Sequence, residues 1–544
     1  MSGITPHALG VHRVLGALKP AVGPLLDWAS RRRLERAVNI SDLRDAAKLR
    51  AHKMVFDYLD AGADDEITIR RNKDAYSQHE LHYRVLAGLA PPLDLSTRIL
   101  DRRVEVPFFP APTAGSKMFH ADGEVGVARA AAAHGAMYCL STMATSSPAE
   151  VAAAVPDQPK LFQLYVWKDR GLVRDMLAQA REHGFHALAL TVDLTWYGNR
   201  ERDVRNGFTV PPAYTLRQMF EAARRPAWSF DFLANPEYAY AALDVAAAAR
   251  ARRAAAAPPG TPPEPAFPAD RRAQVSFIRD AFDPSFDWDD AEWLCQEWGS
   301  RGPVALKGVV RPSDAVKAVD RGFDAVWVSN HGGRQLETAP ATVDVLSSVR
   351  AALGGAEAWA AAKAAEEEAR AAFAAEEAAA KAAAKAAAKA TPGTAASAID
   401  RSVSRADSNV SSRAAKAAAA AAAAAAPTMA VSAKTGLPVE VIADGGVQRG
   451  TDILKLLALG ADGVAVGKPY LYGLCAGGEA GVHKAMDVLR VELERAMGLL
   501  GVGTVGELRE RMARGEALVR RRDASVRDFP DGGARGRGYG GGIF

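Results

Sequence analysis

Read for the period of its apolar positions, the chain alternates short continuous apolar runs with stretches of helical period. The runs fall at residues 106–110, 136–140, 161–166, 187–192, 304–309, 325–328, 439–442 and 463–466. They are rich in β-branched and aromatic side chains, and most are bounded by Gly, Pro or polar turns. That is the pattern of strands buried on both faces of a parallel sheet. Between them, residues 123–134, 173–183 and 452–459 carry apolar side chains on one helical face. Eight strands alternating with helices predict an α/β fold, a (β/α)8 barrel, in preference to a doubly wound open sheet.

Two stretches break the pattern. Residues 245–268 are alanine-rich and then carry six prolines, a density that no helix or sheet interior accepts. Residues 355–433 hold lysines spaced by alanine triplets, a Thr391-Pro392-Gly393 stop, a Ser/Arg/Asp-rich stretch and a ten-alanine run. Alanine of this kind forms helix readily but supplies little core, so the segment reads as a surface spacer. It falls between the sixth helix and the seventh strand, a connection at the bottom of a barrel. Residues 195–298 follow the fourth strand at the opposite, top face, where their ordered parts are expected to form a lid. The 544 residues are therefore expected to hold one barrel domain over 40–519, an N-terminal extension 1–39 and a Gly/Arg-rich tail 520–544.

Composition narrows the class further. Apolar residues make up 49 % and charged residues 24 % of the chain, as in a globular protein. A formal charge of +4 is too small for a dedicated nucleic-acid surface. Three cysteines cannot build a disulfide framework, which points to a reducing compartment. No apolar stretch is suited to spanning a membrane. Residues 1–38 hold six basic residues among apolar ones, as either a targeting segment or a solvated extension would. The C-terminal Gly542-Ile543-Phe544 is not the Ser-Lys-Leu peroxisomal address. A mitochondrial or cytoplasmic location, with peripheral membrane association, is the expectation.

The candidate chemistry lies at the C-terminal ends of the strands, where barrel enzymes keep their active sites. Each of the eight strand ends offers a polar or special-backbone group: Thr113 with Ala114, Ser141, Gln163 with Tyr165, Thr191 with Asp193, Lys307, Ser329 to Arg334, Asp444 to Gly446, and Gly467 with Lys468. In Ser329-Asn330-His331-Gly332-Gly333-Arg334, His331 suits proton abstraction near neutral pH. Arg334 offers a planar fork for a carboxylate, and Asp193 is placed to orient the imidazole. This combination suggests removal of a proton from a small 2-hydroxy acid. Asp444-Gly445-Gly446 and Gly467-Lys468 lie in the loops after strands seven and eight, the usual phosphate site of such barrels. Lys307 is a cation in the barrel mouth that calls for an anionic partner. No metal site is expected.

These residues resemble those of the FMN-dependent 2-hydroxy acid dehydrogenases and oxidases, a family that includes L-lactate dehydrogenase, glycolate oxidase and mandelate dehydrogenase. The matching segments include Asp57-Tyr58, Ala111-Pro112-Thr113-Ala114, Phe162-Gln163-Leu164-Tyr165, Leu190-Thr191-Val192-Asp193, Gly198-Asn199-Arg200-Glu201-Arg202-Asp203, the His331 motif and Asp444-Gly445-Gly446. The resemblance implies a (β/α)8 barrel holding FMN, often as a homotetramer. It implies His331 as base, Asp193 as its partner, and Arg200 and Arg334 on the substrate carboxylate, with Tyr58 and Tyr165 hydrogen-bonding the substrate. Lys307 would sit by flavin N1. Thr113, Ala114, Ser141, Gln163, Thr191 and Ser329 would line the isoalloxazine or ribityl chain. Asp444, Gly445, Gly446, Gln448, Gly467 and Lys468 would hold ribityl and phosphate.

Three positions depart from the family pattern. Gln448 and Lys468 stand where the family usually has arginine, so FMN is expected to be retained less tightly. Met143 stands where glycolate oxidases carry tryptophan, and Ser141-Thr142-Met143 looks like the lactate dehydrogenase branch. The expected reaction is oxidation of L-lactate, with electrons passed to a quinone or cytochrome. The alternative is an oxidase acting on glycolate with O₂ as acceptor. From a different class, an interaction protein working through the alanine-rich segment is disfavoured by the complete set of polar groups at the barrel mouth.

Overall fold

The computed structural model describes residues 11–165, 167–208, 216–235, 281–354 and 438–522, with residues 240, 241, 244, 248, 251, 430 and 432. Eight parallel strands form one sheet: β1 (Phe108–Pro110), β2 (Tyr138–Ser141), β3 (Lys160–Tyr165), β4 (Ala187–Thr191), β5 (Val304–Val309), β6 (Ala325–Val328), β7 (Glu440–Ala443) and β8 (Gly463–Val466). Each of these strands is buried nearly throughout, as their uninterrupted apolar runs require. Hydrogen-bonded neighbours run β1-β8-β7-β6-β5-β4-β3-β2, an order that wraps the sheet into a nearly closed barrel. At the β1/β2 seam the Gly115 N–H donates to Met143 O at 3.0 Å. Phe109 on β1 meets Trp327 on β6 edge to face, with ring centroids 5.6 Å apart. Those strands are not neighbours, so the two rings fill the barrel interior.

A helix follows every strand, including Gly123–Ala133, Arg170–Glu182 and Gly450–Ala458 at the three positions read from helical periodicity. The first of them brings Glu124 under the mouth. Its buried carboxylate accepts from the Ser116 and Thr145 N–H groups (3.0 and 2.8 Å) and from the Thr145 and Ser146 hydroxyls (2.7 and 3.0 Å). Four donors on one carboxylate tie the loops after β1 and β2 together, and those loops carry Thr113, Ala114 and Met143.

Elements before and after the barrel also pack on it. Val11–Arg36 is a helix lying against Pro226–Ala234, with Lys19 paired to Asp231 at 2.8 Å. His79–Leu81 pairs antiparallel with Val519–Arg521. Most of 355–433 and of 245–268 lies outside the described residues. At the edge of the longer segment, the Ala430 N–H donates to Leu353 O at 3.3 Å, and buried Ser432 bonds Asp324. Among the described residues, no helix is long and apolar enough to cross a membrane.

Candidate active site

The turn after β6 sets the site. His331, Gly332 and Gly333 have φ of 55°, 65° and 74°, three consecutive left-handed residues. A Cβ on Gly333 would stand 2.7 Å from Ile69 N, so glycine is required there. His331 holds the same conformation with a side chain, at a cost in strain that the packing of the turn must offset. Buried Asn330 supports the turn: its side chain exchanges hydrogen bonds with that of Asn72 (2.9 and 2.7 Å) and accepts from the Gly333 N–H at 3.2 Å.

This turn aims His331 at Asp193, just past the end of β4, with Nδ1 2.8 Å from Oδ1. A carboxylate only accepts, so Nδ1 carries the hydrogen and Nε2 is left able to take a proton. Burial opposes ionisation of Asp193, but the neighbouring His331, which also hydrogen-bonds it, and the charge of Lys307 outweigh it and hold the carboxyl below its usual range. Lys307, on β5, is only 5 % exposed. Its Nζ donates to Ser329 Oγ at 2.9 Å and lies 3.5 Å from Asp444 Oδ2 and 3.9 Å from Asp193 Oδ2. Burial favours the neutral amine, and Asp444 and Asp193 more than reverse that, so Lys307 stays charged. The protein itself therefore supplies the anionic partners that Lys307 needs.

Two guanidinium groups share one aromatic ring. The Cζ atoms of Arg334 and Arg200 lie 5.1 and 5.5 Å from the Tyr58 ring centroid. Arg334 Nη1 donates to Tyr58 O and Ala61 O (2.8 and 3.0 Å), which fixes its plane against the end of helix Lys53–Asp60. Arg200 lies 3.7 Å from Asp203. Burial and the neighbouring Arg200 both work against the charge on Arg334. Two cations face one carboxylate, leaving an excess positive charge that an anionic ligand would balance. Tyr165 is buried close to Asp193, and both effects push its hydroxyl far above its ordinary pKa, so it remains a proton donor.

Around these groups lies a cavity of about 370 Å³. Thr113, Ala114, Gln163, Tyr165, Thr191, Lys307, His331, Arg334, Arg200 and Tyr58 line it, as do Asp444, Gly445, Gly446, Gln448, Gly467 and Lys468. Asp193, Ser141 and Ser329 stand one layer behind. Ser141 donates to Gln163 Oε1 and Gln163 to Thr191 Oγ1, each at 3.0 Å, a polar row across three adjacent strands. Ser329 donates to Asp444 Oδ1 at 2.7 Å. Thr113 and Tyr470 hydrogen-bond through their hydroxyls.

At the other end, Gly445 and Gly446 have φ of 106° and 78°, and a Cβ on Gly446 would stand 2.0 Å from Asn72 O. Only glycine lets this backbone approach, and it leaves main-chain groups facing the cavity. Lys468 Nζ donates to Asp60 O at 2.8 Å, while burial and nearby Arg334 disfavour its charge. An edge of polar side chains, a buried cation and a glycine cradle with a lysine suit a flat heterocycle carrying a phosphate.

Comparison with known proteins supplies the identity of that group. A family described as FMN-dependent dehydrogenase matches residues 47–362 and 390–515. The chain belongs to the FMN-dependent dehydrogenase family. An L-lactate dehydrogenase of Caulobacter vibrioides is 33 % identical over 472 residues, covering 86 % of this chain and 96 % of that protein. The 2-hydroxyacid oxidase 1 of Homo sapiens is 31 % identical over 486 residues, 89 % of this chain and 99 % of that protein. Among solved structures, the monotopic membrane protein (S)-mandelate dehydrogenase superposes with a TM-score of 0.64 at 26 % identity, covering 87 % of this chain and 97 % of that one. The cofactor is FMN, and the reaction class is oxidation of 2-hydroxy acids.

The structure also brings in residues the sequence reading passed over. Asp203 lies within a quoted motif, but its pairing with Arg200 needed coordinates. Asn72 and Lys73 belong to helix Ile67–Asp74, before the barrel, and no periodicity shows that this helix reaches the mouth.

Proposed function

We propose that the chain oxidises L-lactate to the 2-oxo acid and passes the electrons to a quinone or cytochrome. The observation that carries this reading is the His331–Asp193 pair at 2.8 Å opening on the same cavity as the Arg200/Arg334 excess charge. Bound FMN supplies the two-electron acceptor. Arg334 and Arg200 hold the substrate carboxylate, and Tyr165, kept protonated by its burial, donates to a substrate oxygen. Nε2 of His331 takes the proton that leaves the hydroxyl-bearing carbon unit, and ionised Asp193 stabilises the imidazolium that results. Lys307, held charged by Asp444 and Asp193, would offer the bound flavin a positive charge. Met143, Leu194, Tyr197 and Phe282 also line the cavity and offer apolar surface for a small side chain. The relatives named L-lactate dehydrogenase support lactate over glycolate.

The test is an anaerobic absorbance spectrum of the flavin-loaded protein. Bleaching by L-lactate, with little peroxide formed when air is admitted, is the expected result. Faster bleaching by glycolate with one H₂O₂ released per turnover would replace this reading with an oxidase.

A further inference from the structure

One cation in the cavity has no part in the scheme above. Lys73 lines the cavity from helix Ile67–Asp74. It is half-buried, and it makes no hydrogen bond or ion pair among the described residues. The preceding residue, Asn72, sets its carbonyl against Gly446, so this turn of helix sits directly on the glycine loop. The other cations near that loop are engaged: Arg449 pairs with Glu492 at 2.7 Å, and Lys455 donates to Tyr76 O at 2.8 Å. Gln448 is uncharged, and its Nε2 folds back onto Val447 O at 2.7 Å. Lys73 and Lys468 both line the cavity.

We propose that Lys73 is a phosphate-binding residue of the flavin site, supplying from a helix outside the barrel the charge that Gln448 does not. This rests on FMN occupying the cavity with its phosphate at the Gly446 loop. An ammonium facing a phosphate dianion is a charge-assisted contact, so losing it should weaken binding roughly ten- to a hundredfold.

The experiment titrates flavin-free protein with FMN and with riboflavin, which lacks the phosphate, following quenching of flavin fluorescence. Lys73→Met is expected to raise the FMN Kd roughly ten- to a hundredfold and leave riboflavin binding unchanged. Lys73→Arg, which keeps the charge, is expected to bind FMN like the parent. Adding Gln448→Arg to Lys73→Met is expected to restore FMN affinity. An unchanged FMN Kd in Lys73→Met, or an equal loss for both flavins, overturns the proposal. A loss in Lys73→Arg as large as in Lys73→Met does the same. Parent protein that binds neither flavin overturns the placement of FMN itself.

Discussion

At the scale of single residues, the site works through pairs whose charges are set by their neighbours. Asp193 is held ionised by His331 and Lys307 although it is buried, and that ionised carboxylate fixes which imidazole nitrogen takes the proton. His331→Gln keeps a polar side chain in the turn but no ring nitrogen that can take the proton. It is expected to bind FMN normally and to lose substrate-driven flavin bleaching by on the order of 10³-fold or more, read by stopped-flow absorbance. Asp193→Asn keeps the shape but turns an amide toward Nδ1. It is expected to lower kcat by at least about a hundredfold with little change in FMN affinity. Loss of FMN from either variant, rather than loss of rate, would assign these residues a structural part instead.

At the scale of elements, the glycine loop after β7 is fixed by the helix packed against it. Gly446→Ala would drive a Cβ to 2.0 Å from Asn72 O, a main-chain atom of a packed helix, at a φ of 78°. Neither backbone gives easily, so FMN affinity is expected to fall at least about tenfold, with a lower Tm. By contrast, no protein atom stands within 4 Å of a Cβ on Gly467, so Gly467→Ala is expected to leave the Tm unchanged.

His186 stands just before β4, and burial, followed by the charge of Arg102, pushes its pKa from 6.5 down to about 4. The folded state therefore keeps His186 neutral where the unfolded chain protonates it. Stability from this group is full above pH 6.5 and is lost as pH falls toward 4. The slope approaches about 1.4 kcal/mol per pH unit in that window. His186→Leu is expected to flatten the acid limb of a urea-denaturation series between those values. An unchanged limb would show that another group controls it.

At the scale of the whole molecule, the barrel and the alanine-rich segment are expected to be separable in function. The Ala430–Leu353 hydrogen bond brings the two ends of that segment together beside Ser432 and Asp324, between a helix end and the start of β7. That is the end of the barrel remote from His331. Deleting residues 356–428, which spares Ala430 and Ser432, and joining the ends by a short linker is expected to leave kcat/KM within about twofold. A large loss would mean that the segment acts on the site.

How much of this was legible in the chain differs with the range of the interaction. Short-range patterns carried the fold: the eight apolar runs coincide with the eight strands to within about two residues, because a strand buried on both faces must be apolar along its length. They also carried the candidate site, since a barrel orients every strand the same way and gathers the residues after each strand end at one mouth. The partners did not follow from pattern. That Lys307 sits between two carboxylates, that Arg334 is held by carbonyls at the end of a helix preceding the barrel, that Asn72 meets the glycine loop and that Lys73 lines the cavity depend on contacts between segments more than a hundred residues apart. Sequence determined the strand order of chemistry around the mouth. Only the tertiary structure decided which charges neutralise one another and which are left for a ligand, because that depends on distances of a few ångströms that no local periodicity encodes.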